Sequence, residues 1–154
     1  MQLTYHTDYA LRLLIYLLNH PDRTVSTREM AEFYSVSLNH LTKVAKSLTQ
    51  GGWLVSSRGI GGGLMLAEHT PGTKVGDIVR YTESTDLVEC FQPKTNTCPI
   101  HRNCDLKPIL FQARRAFFDV LDSFTVRDLA RNPGELLALT RAVKHGKPKS
   151  GGTT

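Results

Sequence analysis

Four of the five residues from 59 to 63 are glycine, in the run Arg58-Gly59-Ile60-Gly61-Gly62-Gly63. Glycine loses more backbone freedom on ordering than any other residue, so such a run interrupts helix and strand alike. Short extended pieces flank it, Trp53 to Ser57 and Leu64 to Leu66. Two extended pieces joined by a glycine-rich turn predict a β-hairpin.

The segments upstream carry a different period. From Thr7, apolar residues recur at Ala10, Leu13, Leu14, Leu17 and Leu18, which predicts a helix capped by Thr7 or Asp8 and ended by Pro21. Ser26 sits three residues before Glu29, a capping-box spacing, and opens a short second helix through Met30, Ala31 and Phe33. Tyr34-Ser35-Val36-Ser37 makes a tight break, with Val36 as an apolar plug and Ser37 as the next cap. A third helix runs from Leu38 to about Gln50 and buries Leu38, Leu41, Val44, Ala45 and Leu48; Gly51 and Gly52 stop it. Three helices followed by a hairpin predict a mainly α fold with a small β-hairpin wing, a winged helix-turn-helix.

Downstream, Val75 to Tyr81 reads as a fourth helix with Val75, Ile78 and Val79 inward. Residues 82–104 show no sustained period, and Pro93, Asn96 and Pro99 mark a loop. The period returns at Leu106, Ile109, Leu110, Ala113, Phe117, Val120 and Leu121, with Pro108 tolerable only in the first turn. Asp105 sits near the positive end of that helix, where an anion is favoured. A last small helix, Thr125 to Ala130, has Thr125 as cap with Asp128 three residues on. The resulting division is 1–85 winged helix-turn-helix, 86–104 cysteine-rich loop, 105–136 long helix and short terminal helix, and 137–154 tail, disordered at least from 146.

A chain of 154 residues buries only ~70% of its unfolded surface. The apolar stripe over 105–122 is too long for so small a domain to cover, which predicts a homodimer through Leu106, Ile109, Leu110, Ala113, Phe117, Val120 and Leu121. The competing reading folds this stripe back on the same chain. Two-fold symmetry would set two third helices ~34 Å apart on a pseudo-palindromic stretch of double-stranded DNA.

The nucleic-acid reading rests on local charge. Residues 1–89 carry 8 Lys/Arg and 9 Asp/Glu, so the overall +5 comes from the second half and proves nothing about DNA. Positions 36–66, however, hold Lys43, Lys46 and Arg58 and no acid. In a helix-turn-helix the second helix of the motif enters the major groove. Its outward face offers Ser37, Asn39, His40, Thr42 and Lys43: Asn can bond bidentately to adenine and Lys to guanine, while Lys46 is placed for phosphate. Arg58 can reach a narrow minor groove, and Gly59, Gly61 and Gly62 let the wing backbone lie close to DNA. An ordinary solvated helix face and a merely structural hairpin are the bland alternatives. The glycine run is not a phosphate loop, because no Lys-Ser/Thr follows and no helix opens.

All three cysteines lie between positions 90 and 104, as C-x7-C-x5-C, an odd number that builds no disulfide framework. The C-x2–4-C knuckle of zinc sites, the C-x-x-C of thioredoxins and the ferredoxin spacings are all missing. Three thiols within one loop select iron–sulfur or zinc, both of which bind thiolates strongly. His101, Asp8 and Asp105 are all candidates for a fourth position, and spacing does not choose among them. His20, His69 and His145 read as surface residues. The histidines are scattered and no carboxylate pair accompanies them, so an enzyme is not indicated. The longest apolar stretch, Leu13 to Leu18, is far below the ~20 residues a bilayer requires. The opening MQLTYHTDYALR lacks a basic segment before a hydrophobic core, which predicts no signal peptide and a cytoplasmic protein.

These motifs together carry a resemblance. MQLTxxTDYALR at the start, RGIGGGL in the wing, VGDIVR in the fourth helix and CDLKPIL after the last cysteine resemble the Rrf family (type two) of bacterial winged-helix regulators, over residues 1 to about 131. Within the family the chain is most similar to the nitric-oxide-sensing repressors. The resemblance implies a homodimer with crossed long helices and an iron–sulfur cluster, 4Fe-4S with 2Fe-2S as the alternative. Its ligands would be Cys90, Cys98, Cys104 and Asp8 from the other subunit's first helix. It further implies that nitric oxide relieves repression of detoxification and nitrosative-stress genes. Relatives that report iron or cluster supply share much of the pattern, and a DNA-binding protein with a purely structural metal is the alternative of another class.

Overall fold

The computed structural model describes residues 2–130 except 58 and 60, together with 134 and 138. Helices α1 (Tyr5–Leu18), α2 (Thr27–Tyr34) and α3 (Leu38–Gln50) precede strands β1 (Leu54–Ser57) and β2 (Gly63–Leu66), then α4 (Val75–Thr82) and α5 (Leu106–Asp122). Short 3-10 turns occupy Thr70–Gly72, Glu89–Phe91 and Val126–Ala130. The expected winged helix-turn-helix and long C-terminal helix are present. No helix among the described residues is long and apolar enough to cross a membrane.

One core unites the first three helices with the hairpin. Ala10, Leu13, Leu14, Tyr16 and Leu17 of α1 pack with Met30 and Ala31 of α2 and with Leu41, Val44, Ala45 and Leu48 of α3. Leu54, Leu64 and Ile78 close it. These are the apolar positions at helical spacing, and burying each large one is worth ~1.5–3 kcal/mol. The turn between α2 and α3 hinges on Ser35, the one non-glycine residue with a left-handed φ (52°) among those described. Ser37 then caps α3 by accepting the His40 N–H.

The hairpin pairs Leu54 with Leu66 and Ser57 with Gly63. Gly63 is required by proximity, since a Cβ there would lie 2.8 Å from the Val25 carbonyl oxygen. The adjacent Leu64 bonds Val25 in both directions, at 2.8 and 3.0 Å, which fixes the wing to the start of α2.

Four expectations need correction. Helix α1 begins earlier than Thr7: Thr4 is its cap, and Thr7 is fully buried inside the first turn. The reason is long-range, because Glu83 accepts the Thr4 N–H and the Thr7 hydroxyl, each at 2.8 Å. His20 is half-buried, not a free surface residue; its ring stacks on Tyr16 at 4.4 Å. The 82–104 segment contains a 3-10 turn at Glu89–Phe91, stabilised by contacts to α5 that no local period reveals. At Thr125 the expected pairing with Asp128 runs the other way: the Asp128 carboxylate accepts from the Thr125 N–H and hydroxyl, each at 2.8 Å, and among the described residues the Thr125 hydroxyl accepts no N–H of the turn. Gly134 and Ala138 are helical; residues 131–133, 135–137 and 139–154, with the tail expected to be disordered from 146, lie outside the described residues.

The stripe on α5 divides into two faces. Phe118 is buried against Val75 and Val79 of α4, and Phe117 and Leu121 join that cluster. Leu106, Ile109 and Val120 are about 60% exposed, at 57%, 60% and 60%, and Ala113 and Ala116 between them are exposed too. The exposed set follows the 3-4-3-4 spacing of a helix–helix seam. Leu110 is half-buried.

Candidate nucleic-acid interface and cysteine loop

The exposed face of α3 is the one the sequence indicates. Ser37, Asn39, His40, Thr42, Lys43 and Lys46 are all exposed, while the opposite stripe is buried. Two of these side chains have local duties: the Ser37 hydroxyl caps the helix and the Thr42 hydroxyl donates to the Leu38 carbonyl at 2.7 Å. Asn39, Lys43 and Lys46 project from a helix whose N-terminus carries partial positive charge.

At the wing tip, the Gly62 N–H closes a turn onto the Gly59 carbonyl at 3.0 Å, with left-handed φ at Gly59 (101°) and Gly61 (78°). Gly59 and Gly61 are exposed and Gly62 is half-buried. The Thr24 hydroxyl donates to the Gly61 carbonyl at 2.8 Å and sets the angle of the tip. Arg58 lies outside the described residues.

Beside α3 the structure adds residues that the charge argument missed. Tyr5, His6 and Tyr9 of α1 line a cavity of about 220 Å³ with His40, Lys43 and Val44. Their i, i+1, i+4 spacing on one face of α1 was the available signal. At the other end of α3, the Tyr81 hydroxyl donates to the Ser47 carbonyl at 3.2 Å and its ring meets Trp53 edge-on at 4.7 Å. The recognition helix is thereby tied to α4.

Residues 83–104 join α4 to α5 and carry the three thiols. Cys90, Cys98 and Cys104 are free and half-buried. Cys90 lies on the Glu89–Phe91 turn, Cys98 has its N–H on Asn96 Oδ1 at 3.1 Å, and Cys104 stands two residues before α5. His101 Nδ1 is 2.9 Å from the Cys98 carbonyl oxygen, so this ring is engaged by the loop itself. Asp105 caps α5 without a side-chain bond to it. Among the described residues no three His, Cys, Asp or Glu side chains converge on one metal position. The donor set therefore suits a thiolate-bound group in kind, but this conformation does not gather it.

Asp8 is also elsewhere. Its Oδ2 pairs with Arg12 Nη2 at 2.7 Å on the surface of α1. The Arg12 guanidinium lies 5.9 Å from the ring centres of both Tyr9 and Tyr34. Burial pushes the Tyr34 hydroxyl up to about 12, with Arg12 lowering it and Asp8 raising it, so it stays protonated and donates to the Arg12 carbonyl at 2.9 Å.

A helix-turn-helix with a hairpin wing, presenting an acid-free face with two lysines, defines the molecule as a winged-helix DNA-binding regulator. Residues 3–132 match the model of the Rrf2 family, described as iron-dependent transcriptional regulators, and the chain belongs to that family. It is 43% identical over 141 residues to the HTH-type transcriptional regulator NsrR of Shouchella clausii (strain KSM-K16), covering 90% of this chain and 95% of that one. It is 41% identical over 143 residues to NsrR of Bacillus subtilis (strain 168), covering 92% and 98%. Among solved structures, T. potens IscR superposes with a TM-score of 0.69 over 88% of this chain and 90% of the other, at 24% identity, a likeness of fold. The family is one of transcriptional regulators rather than enzymes.

Proposed function

We propose that this chain is a homodimeric repressor that holds an iron–sulfur cluster and releases its operator when nitric oxide arrives. The observation that carries the reading is the placement of three free thiols in the one loop between α4, which grips the recognition helix, and α5, which bears the exposed seam. The similarity to NsrR proteins over some nine-tenths of the chain supports the signal. In this reading residues 1–85 bind double-stranded DNA, 86–104 hold the cluster, 105–136 dimerise, and 137–154 form a tail.

Cys90, Cys98 and Cys104 would supply thiolates, and Asp8 a carboxylate from the first helix of the second subunit. A cluster bound there would supply iron able to react with nitric oxide, with 4Fe-4S favoured over 2Fe-2S. Three soft ligands and one hard one leave a weakly held position. To serve, the Asp8 carboxylate must leave Arg12, and a cross-subunit tie at Asp8 would hold α1 and the neighbouring loop together. Losing that tie frees the two α3 helices from their ~34 Å spacing. A hundredfold loss of DNA affinity needs only ~2.7 kcal/mol of coupling.

The family's description as iron-dependent favours a second reading, a reporter of iron or cluster supply. Anaerobically purified protein, assayed for iron, sulfide and zinc, tests the cofactor first; zinc without sulfide sinks both readings. Titration on a fragment selected by that protein from random-sequence DNA then separates them. Release by stoichiometric nitric oxide supports the proposal. Binding that survives nitric oxide but vanishes on iron chelation establishes the iron reporter.

A further inference from the structure

Arg114 of α5 occupies a position that the ligand set does not explain. Its Nη1 lies 3.2 Å from Asp86 Oδ1 and 3.5 Å from the Thr85 carbonyl oxygen. Its guanidinium sits 4.7 Å from the Phe91 ring centre and 4.9 Å from that of Phe111, and the two rings meet edge-on at 5.9 Å. The other Asp86 oxygen accepts the Gln92 amide at 2.8 Å. The two residues after Cys90 are thus both held: Phe91 by Arg114, Gln92 by the carboxylate that Arg114 pairs with. The side chains of Arg114 and Asp86 are only 23% and 28% exposed, and among the described residues no other ion pair has both partners so shielded. Cys98 is held within the loop, its N–H on Asn96 Oδ1 and its carbonyl oxygen against His101 Nδ1, while Cys104 is joined to α5 directly through the chain, two residues before Leu106.

We propose that Arg114 is a positioning residue, a latch that seats the Cys90 turn on α5 and so makes the position of that thiol and the setting of α5 depend on each other. A guanidinium suits the place, because one N–H group pairs with the Asp86 carboxylate while the central carbon lies over two ring centres at 4.7 and 4.9 Å. A lysine would keep the charge but offers a point cation in place of an extended planar one. The inference deepens the proposed sensing role by naming how one thiol is joined to the helix with the exposed seam; its test needs no metal.

Lys94 and Arg102 place the three cysteines on separate tryptic peptides, so each thiol can be followed in the intact chain. The full-length protein, metal-free and reduced, is pulse-labelled with iodoacetamide, digested and read by mass. Arg114→Ala should raise the labelling rate of Cys90 by about tenfold, the factor that 1.4 kcal/mol represents. Arg114→Lys and Asp86→Asn should fall between it and the parent, and Cys98 should stay within twofold. Equal rates at Cys90 in all variants, or a parallel rise at all three cysteines, overturns the latch. If Arg114→Ala does not fold, the two conservative variants decide it by the same readout. Absence of iron and sulfide from the purified protein defeats the cluster reading and leaves this result standing, so the two failures are distinguishable.

Discussion

Asp8 and Arg12 stand one helical turn apart on α1 and meet at two points, Oδ2 to Nη2 at 2.7 Å and Oδ1 to Nε at 3.0 Å. Both side chains are about 40% exposed, at 38% and 43%, so the pair is worth only ~0.3–0.5 kcal/mol. An acid held so cheaply can change partners.

Asp8→Ala should therefore lower the stability of the metal-free protein by less than ~1 kcal/mol, while changing the absorption spectrum of the anaerobically prepared protein. Cys90→Ser, Cys98→Ser or Cys104→Ser should abolish that spectrum. A spectrum unaltered by Asp8→Ala but altered by His101→Ala would move the fourth ligand to His101.

Glu83 gives a pH dependence. Burial raises its pKa, but the Thr4 N–H and the Thr4 and Thr7 hydroxyls outweigh burial and hold the carboxyl below its ordinary value. A depressed folded-state pKa contributes stability that is complete above the unfolded value, about 4.3, and is lost as pH falls through the folded one. Urea midpoints measured from pH 7 down to pH 3 should show Glu83→Gln less stable at neutral pH, with the gap closing below pH ~4. A gap that widens in acid would contradict the assignment.

On DNA, Lys46→Ala should weaken binding to all sequences and reduce the salt slope by about 1. Asn39→Ala and Lys43→Ala should instead relax discrimination by about 1–3 kcal/mol. Thr42→Val should matter less than either, because its hydroxyl is already bonded to Leu38. Fluorescence titrations on specific and random duplexes at several salt concentrations distinguish these patterns.

The two faces of α5 should respond differently. Ile109→Glu places a charge on the exposed seam and should yield a ~17 kDa species in sedimentation, with little change in the melting of the fold. Phe118→Ala opens a hole against Val75 and Val79 and should cost ~3–5 kcal/mol of stability. A parent protein that sediments as a monomer at micromolar concentration would discard the dimer.

Much of this molecule was legible because its signals are local. The caps at Ser26 and Ser37 are chemistry confined to three residues, and the hairpin follows from what glycine does to a chain. The outward face of α3 is set by a 3.6-residue period acting on a short segment. The resemblance carried by the wing and the cysteine loop was visible in the same way.

What the sequence alone could not decide depends on residues far apart in the chain. Thr4 rather than Thr7 starts α1 because Glu83, 76 positions beyond Thr7, reaches both. Phe117 and Phe118 are adjacent and equally apolar, yet only Phe118 is buried, since the setting of α4 selects which face of α5 is covered. Nothing local marks out Arg114; the fold alone brings Asp86, Phe91 and Phe111 around it. Periodicity states that a face will be covered; only the packed chain states by what, because burial and pairing energies depend on distances that no local pattern contains.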